Sequence, residues 1–289
     1  MHDVIPAKLK CDARGRAADR RAFVLAILGA GVAMAVPPVR GQTTATSADG
    51  LVAGDVKVPT KDGTIPAYRA MPGAGGSYPV ILVIHDVSGL DRLTQDICRR
   101  IAGSGYFAIA PELYVRQGAP SKSGNPATLA GEIVAKIPDS QVDADLDACV
   151  AYAKSTGKAE TARLGITGFG WGGRTALMYA AHNPDVKAAV PWYGPAAQSY
   201  FAGDRTPLDL TPQIRAAVLG LYAGADAGIP NATVEKLFAN LKAAGNVRSH
   251  FIVYPDTPGA FNAVDRPGYR KQQAEDAWNR MNAWFKLNL

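Results

Sequence analysis

Cysteine and histidine are scarce in this chain, three and four among 289 residues. No C-x-x-C and no H-E-x-x-H occurs, so the common redox and zinc patterns have no carrier. Neither a metal nor a cofactor is expected. Cys11 falls in the amino-terminal segment, while Cys98 and Cys149 stand among apolar neighbours in helical patterns. A free thiol in such a place packs as a small hydrophobe, and two buried thiols are expected rather than a disulfide. Long apolar runs are also missing. The uncharged stretch Val24 to Ala35 has twelve residues, against about 20 for a bilayer span. A general excess of basic charge is missing too. Residues 1–35 hold six Lys/Arg and three Asp/Glu, half of the net charge of +6. The remainder gives no reason to expect a nucleic-acid partner.

The amino-terminal stretch is a targeting pattern. Arg20-Arg21 precedes the apolar run, and Ala33-Met34-Ala35 follows it with small residues. A basic start, a short apolar segment and a small-residue exit read as a signal peptide over residues 1–35. The paired arginines point to the twin-arginine route, which exports folded proteins. The mature protein is therefore expected in the periplasm or outside the cell, without stable membrane insertion. Residues 36–50, rich in Thr, Ser, Ala and Gly, read as a tether. Residues 51–289 read as one domain, with hydrophobic content (47% over the whole chain) ample for a core.

Within that domain, strand and helix patterns alternate. Two short strands flank a Lys61-Asp62-Gly63 turn. Pro79 to Ile84 is a continuous apolar run, as expected of a strand covered on both faces. Asp91 to Ser104 has Leu93, Ile97 and Ile101 at helical spacing. Further strands are expected at 106–110, 164–167, 188–192, 216–222 and 249–254, and further helices at 141–155, 171–182, 231–244 and 269–287. This alternation implies an α/β fold with a mostly parallel central sheet and helices on both faces. Ligands of such folds bind beyond the carboxyl ends of the strands.

At one such end stands Gly168-Phe169-Gly170-Trp171-Gly172-Gly173. The spacing fits a dinucleotide fingerprint, but that motif needs an acid at the end of the next strand, which here reads Pro191-Trp192-Tyr193-Gly194. It also fits a nucleophile elbow, in which small residues flank a reactive side chain on a sharp strand-to-helix turn. Gly168 and Gly172 are the flanking residues, and position 170 is the nucleophile's place. Glycine tolerates the strained backbone but supplies no nucleophile.

From Gly54 to Leu289 the chain resembles the dienelactone hydrolase (carboxymethylenebutenolidase) family of α/β-hydrolases. The resemblance is carried by 84–90 (IHDVSGL), 110–118 (APELYVRQG), the elbow with Arg174, 222–226 (YAGAD) and 254–262 (YPDTPGAFN). It implies hydrolysis of ester or lactone bonds, with a small ester, lactone or carboxylate as ligand. It places the catalytic cysteine at Gly170 and the catalytic histidine at Gly259, and makes Asp226 the retained acid. Asp86 is the shortened counterpart of a glutamate that gates the thiol. Arg116 matches an arginine that binds the substrate carboxylate. The backbone N–H groups of Val87 and Trp171 correspond to the oxyanion hole. Without nucleophile and base, impaired or absent turnover is expected. One alternative is a non-catalytic binding protein for a small carboxylate or ester. The other is weak hydrolysis by water, with Asp86 and His85. His85 is the one histidine expected at the correct end of the sheet, and its other reading is a support for the adjacent loop. Ser88 lies on that loop without an evident base.

Overall fold

The computed structural model describes residues 46–118, 133–201 and 203–289. The signal-peptide expectation and most of the tether lie outside them. The described residues belong to one compact unit. At the end of the expected tether, the backbone N–H of Thr46 donates to Asp96 and its carbonyl accepts from Arg99.

The chain begins with a hairpin. Strands β1 (Leu51–Thr60) and β2 (Gly63–Pro72) pair antiparallel with Thr60 opposite Gly63, so Lys61-Asp62 forms a two-residue turn. β3 (Tyr78–Ile84) follows, buried from Pro79 onward. Helix α1 (Arg92–Gly103) starts at Asp91, whose carboxylate accepts the Thr94 N–H at 2.8 Å. This bond satisfies one of the donors that every helix start leaves open. α1 leads into β4 (Phe107–Pro111). Next come α2 (Asp139–Ser155), β5 (Ala159–Phe169), α3 (Trp171–His182) and β6 (Val186–Trp192). The short α4 (Pro207–Leu210), β7 (Ala217–Ala223), α5 (Asn231–Ala243), β8 (His250–Tyr254) and α6 (Lys271–Asn288) complete the described fold.

The eight strands form one sheet in the order β1-β2-β4-β3-β5-β6-β7-β8. β1, β2 and β4 pair antiparallel, and every pairing from β4 to β8 is parallel. The expected α/β-hydrolase architecture is thus observed. Ten of the twelve α3 residues are buried, so α3 packs on nearly all sides rather than along one stripe. Cys98 and Cys149 are free and buried, and burial pushes both thiols well above their usual pKa.

α2 and α3 share a pH-sensitive contact. His182 Nε2 lies 2.9 Å from Asp147 and Nδ1 3.6 Å from Asp143. Burial raises the Asp143 carboxyl to about 6, against the opposing pull of His182. Burial disfavours the charged His182, yet the Asp147 hydrogen bond and the two carboxylate charges raise its pKa overall. A carboxyl raised on folding destabilises the fold as it ionises, between its unfolded value near 3.8 and about 6. The raised histidine contributes fully at low pH and loses that contribution as pH climbs through its folded pKa. Both effects lower stability as pH rises towards neutrality. Asp143→Asn is expected to stabilise the protein at pH 7, by on the order of 1 kcal/mol, and to change little at pH 4. Equal shifts in Tm at the two pH values would contradict this.

Candidate active site

β3 and β5 are neighbours whose onward connections leave in opposite directions across the sheet, to β4 and to β6. A crevice opens beyond the strand ends at such a point. A cavity of about 520 Å³ lies there, bordered by Asp86, Val87, Gly170, Trp171, Tyr193 and Asp226. Pro195, Gln198, Tyr200, Gly228, Ile229 and Ala260 complete its wall.

β5 ends at Phe169 and α3 begins at Trp171, so Gly170 alone makes the turn, with φ 55° and ψ −116°. The glycines of this loop have different physical reasons. A Cβ on Gly168 would overlap the carbonyl of Gly172, and one on Gly172 would overlap the carbonyls of Ile84 and His85. A Cβ on Gly173 would lie 2.6 Å from Trp192 O. These three must stay bare for α3 to sit against β3 and β6. A Cβ on Gly170 meets only Tyr193 Cε2, at 3.9 Å, and projects beside the cavity. Position 170 therefore has room for a side chain and is constrained only by its torsion. Gly172→Ala is expected to destabilise by at least about 3 kcal/mol through overpacking against backbone. Gly170→Ala is expected to cost about 1–2 kcal/mol, the strain of a left-handed φ. Similar urea midpoints for the two variants would refute the distinction.

Val87 and Trp171 border the cavity, and each carries a backbone amide. Neither donates to an acceptor among the described residues. Trp171 opens α3, where N–H groups have no partner within the helix and the dipole favours negative charge. Unengaged backbone donors are the kind of group that stabilises a developing oxyanion.

Asp226 follows β7. Its Oδ1 accepts the Gly228 N–H at 2.8 Å, which orients the carboxylate, while Oδ2 has no hydrogen-bond partner among the described residues. A Cβ built on Gly259 would overlap that Oδ2. Asp226 and position 259 are therefore immediate neighbours. Asp86 Oδ1 accepts the Ser88 N–H at 2.7 Å, and its Oδ2 lies 2.9 Å from Arg266 Nη2. The same nitrogen lies 2.7 Å from Ser88 Oγ, so Ser88 is held by a cation rather than a base.

His85 is fully buried. Nε2 accepts the Leu113 N–H at 3.2 Å, and Nδ1 lies 2.7 Å from Asp86 O. Glu112 Oε1 lies 3.7 Å from the same Nε2. Both nitrogens are engaged, and the ring stacks on Trp171 with its centroid 5.7 Å away. His85 is thus packed beneath the loop with both ring nitrogens engaged. Arg116, expected at the substrate, has partners elsewhere in the chain. Its guanidinium holds Asp62 and Asp145, each at 2.7 Å, and Arg116 does not border the cavity. It ties the β1–β2 turn to α2, and its donors are already engaged within the chain.

Sequence reasoning missed Tyr193 and Arg266. Tyr193 follows the last residue of β6 with φ 39°, and its buried hydroxyl donates to Asn262 Oδ1. Burial, reinforced by Asp86, holds the phenol well above its usual pKa, so it remains protonated. Its place directly after a parallel strand was the available signal. Arg266 carried no local signal, since its partner Asp86 lies 180 residues earlier.

The model of the dienelactone hydrolase family matches residues 65–289. The chain belongs to the dienelactone hydrolase family. A Methylorubrum extorquens protein provisionally named a carboxymethylenebutenolidase is 52% identical over 93% of this chain and 92% of its own length. An Escherichia coli K12 protein with the same provisional name is 45% identical over 89% of this chain and 94% of its own. Among solved structures, a provisionally described dienelactone hydrolase from Klebsiella pneumoniae superposes with TM-score 0.78 at 44% identity, covering 82% of this chain and 98% of that one. A dienelactone hydrolase-like promiscuous phosphotriesterase from metagenomic libraries superposes at 0.69 with 16% identity, covering 83% and 99%. This last likeness concerns the fold alone.

In this member of the family, Arg174 sets the far wall of the cavity. It sits one turn into α3 and is 1% exposed. Its guanidinium grips both oxygens of Asp139 at 2.7 Å, and Nε donates to Gln198 O at 2.8 Å. A further bond reaches Arg205 O at 3.1 Å, and the Tyr200 ring lies 5.6 Å from the guanidinium. The wall residues Gln198 and Tyr200 are thus hung from the same helix that begins at Gly170.

Proposed function

We propose that this protein binds a small ester or lactone in the cavity at Gly170 and turns it over poorly by its own side chains. The observation that carries the reading is the bare Gly170 facing the cavity beside the unengaged amides of Val87 and Trp171. The donors would receive a carbonyl oxygen, yet no nucleophile stands beneath it. Neither buried thiol borders the cavity, and Ser88 is held by Arg266. Loss of the triad in a serine protease leaves about 10³–10⁴-fold acceleration over water, and the same ceiling is expected here. A free carboxylate is less favoured as ligand, because Arg116 is engaged elsewhere and Arg266 is already paired with Asp86.

The test is steady-state hydrolysis of phenyl acetate and an unsaturated γ-lactone, with binding measured in parallel. Binding is expected, with kcat/KM far below the usual enzymatic range of about 10⁴–10⁸ M⁻¹s⁻¹. A value inside that range would sink the poor-turnover reading, and absence of binding would sink the site. The twin-arginine pattern supports a periplasmic or secreted location. Exchanging Arg20 and Arg21 for lysine is expected to retain the protein inside the cell on fractionation, and unchanged export would contradict that route.

A further inference from the structure

We propose that the cavity accepts an imidazole brought from outside the chain, hydrogen-bonded to Asp226, and that this imidazole serves as the missing base. It is carried either on the substrate or by a free small molecule. The inference rests on the reading above that an ester or lactone occupies the same cavity.

Asp226 is held by one oxygen only. Oδ1 is fixed by the Gly228 amide at 2.8 Å, and Oδ2 lies where a Cβ on Gly259 would stand. The other cavity carboxylate, Asp86, has Arg266 at 2.9 Å. Asp226 has no such cation among the described residues. The cavity therefore pairs an uncompensated carboxylate from the β7 end with unengaged amide donors at the β3 and β5 ends. No side chain from 170 or 259 fills the space between them. A ligand matching both ends needs an N–H donor for Asp226 and an acceptor oxygen for Val87 and Trp171. A charge-assisted N–H···carboxylate bond is among the stronger ones. Imidazole offers that N–H while keeping a basic nitrogen, and an ordinary pKa near 6.5 leaves much of it unprotonated at neutral pH. A primary amine would also satisfy Asp226, but at neutral pH it is protonated and cannot act as base.

The chemistry balances with water as nucleophile. The basic imidazole nitrogen takes a proton from water as the water oxygen bonds to the acyl carbon. The resulting oxyanion is held by the two amides. The bond from carbon to the leaving oxygen then breaks, and the imidazolium returns its proton to that oxygen. One water is consumed, and the imidazole is regenerated.

Two arms separate the sources. In the first, phenyl acetate hydrolysis is followed as free imidazole is added, with the rate of imidazole alone subtracted. A saturable increase of roughly 10²-fold is expected, the low end for general-base catalysis. Ethylamine in place of imidazole is expected to give none. In the second, histidine methyl ester is compared with leucine methyl ester, and preferential hydrolysis of the histidine ester places the base on the substrate. Imidazole binding is read directly by NMR. Asp226→Asn is expected to weaken it about tenfold, or about 1.4 kcal/mol, and Asp226→Glu to retain most of it. Gly259→Ala, whose Cβ displaces Oδ2, is expected to weaken it without altering any charge. A purely linear imidazole dependence together with equal rates for the two esters would overturn the proposal. So would binding unaffected by Asp226→Asn. A Gly170→Cys/Gly259→His variant is run alongside. If it hydrolyses phenyl acetate while imidazole does nothing for the original chain, the ester site stands and only the imported base is refuted.

Discussion

Gly170→Cys and Gly259→His, introduced together, are expected to raise kcat/KM for ester hydrolysis by roughly 10³-fold or more, whereas either alone gives little. Residues acting as one catalytic unit are grossly non-additive. Gly170→Cys alone would lack a base, and Gly259→His alone would lack a nucleophile. The geometry admits both. A Cβ at 170 meets nothing closer than Tyr193 Cε2 at 3.9 Å, although φ of 55° makes a side chain there strained. A Cβ at 259 overlaps Asp226 Oδ2, so Asp226 must swing aside. The atom that moves is the far end of a side chain. Circular dichroism confirms folding of each variant. A folded double variant no faster than the singles would show that the scaffold no longer supports the reaction.

Arg174→Ala is expected to cost about 3–5 kcal/mol, the usual loss when one partner of a buried ion pair is removed. The arginine is 1% exposed and its partner Asp139 18%. Removal leaves Asp139 without its bidentate partner and the carbonyls of Gln198 and Arg205 without their donors. Part of the Asp139 charge remains favoured, because it is the first residue of α2 and acids are stabilised at a helix start. Arg174→Lys should recover only part of the loss, since a point charge cannot reproduce the planar fork. The consequence for the site is a looser wall at Gln198 and Tyr200, read as a higher KM in the restored double variant with kcat less changed. A loss below about 1 kcal/mol by chemical denaturation, typical of an exposed pair, would contradict this role.

Much of the fold was legible because its signals are local. The run from Pro79 to Ile84 is buried throughout, and a strand covered on both faces has no reason to alternate. Asp91 read as a helix start and caps α1. The elbow glycines were legible as a group, but not their separate reasons. Gly172 and Gly173 are held bare by carbonyls of other segments and Gly168 by the Gly172 carbonyl and Ile84, whereas Gly170 is not so held. No sequence spacing reports that contact. Arg116 and His85 show the same limit. Arg116 meets Asp62, 54 residues earlier, and Asp145, 29 residues later. His85 meets the Leu113 amide 28 residues on. Both looked available because their partners are remote in the chain.

Of the two glycines, the sequence alone determined that position 170 carries no nucleophile and 259 no base, because identity needs no coordinates. Tertiary structure decided what surrounds them. It brought Asp226 against 259, set Val87 and Trp171 at the cavity with their amides unengaged, paired Asp86 with Arg266 and engaged both nitrogens of His85. Those are contacts between the ends of different strands, made only when β3, β5, β7 and β8 lie in one parallel sheet.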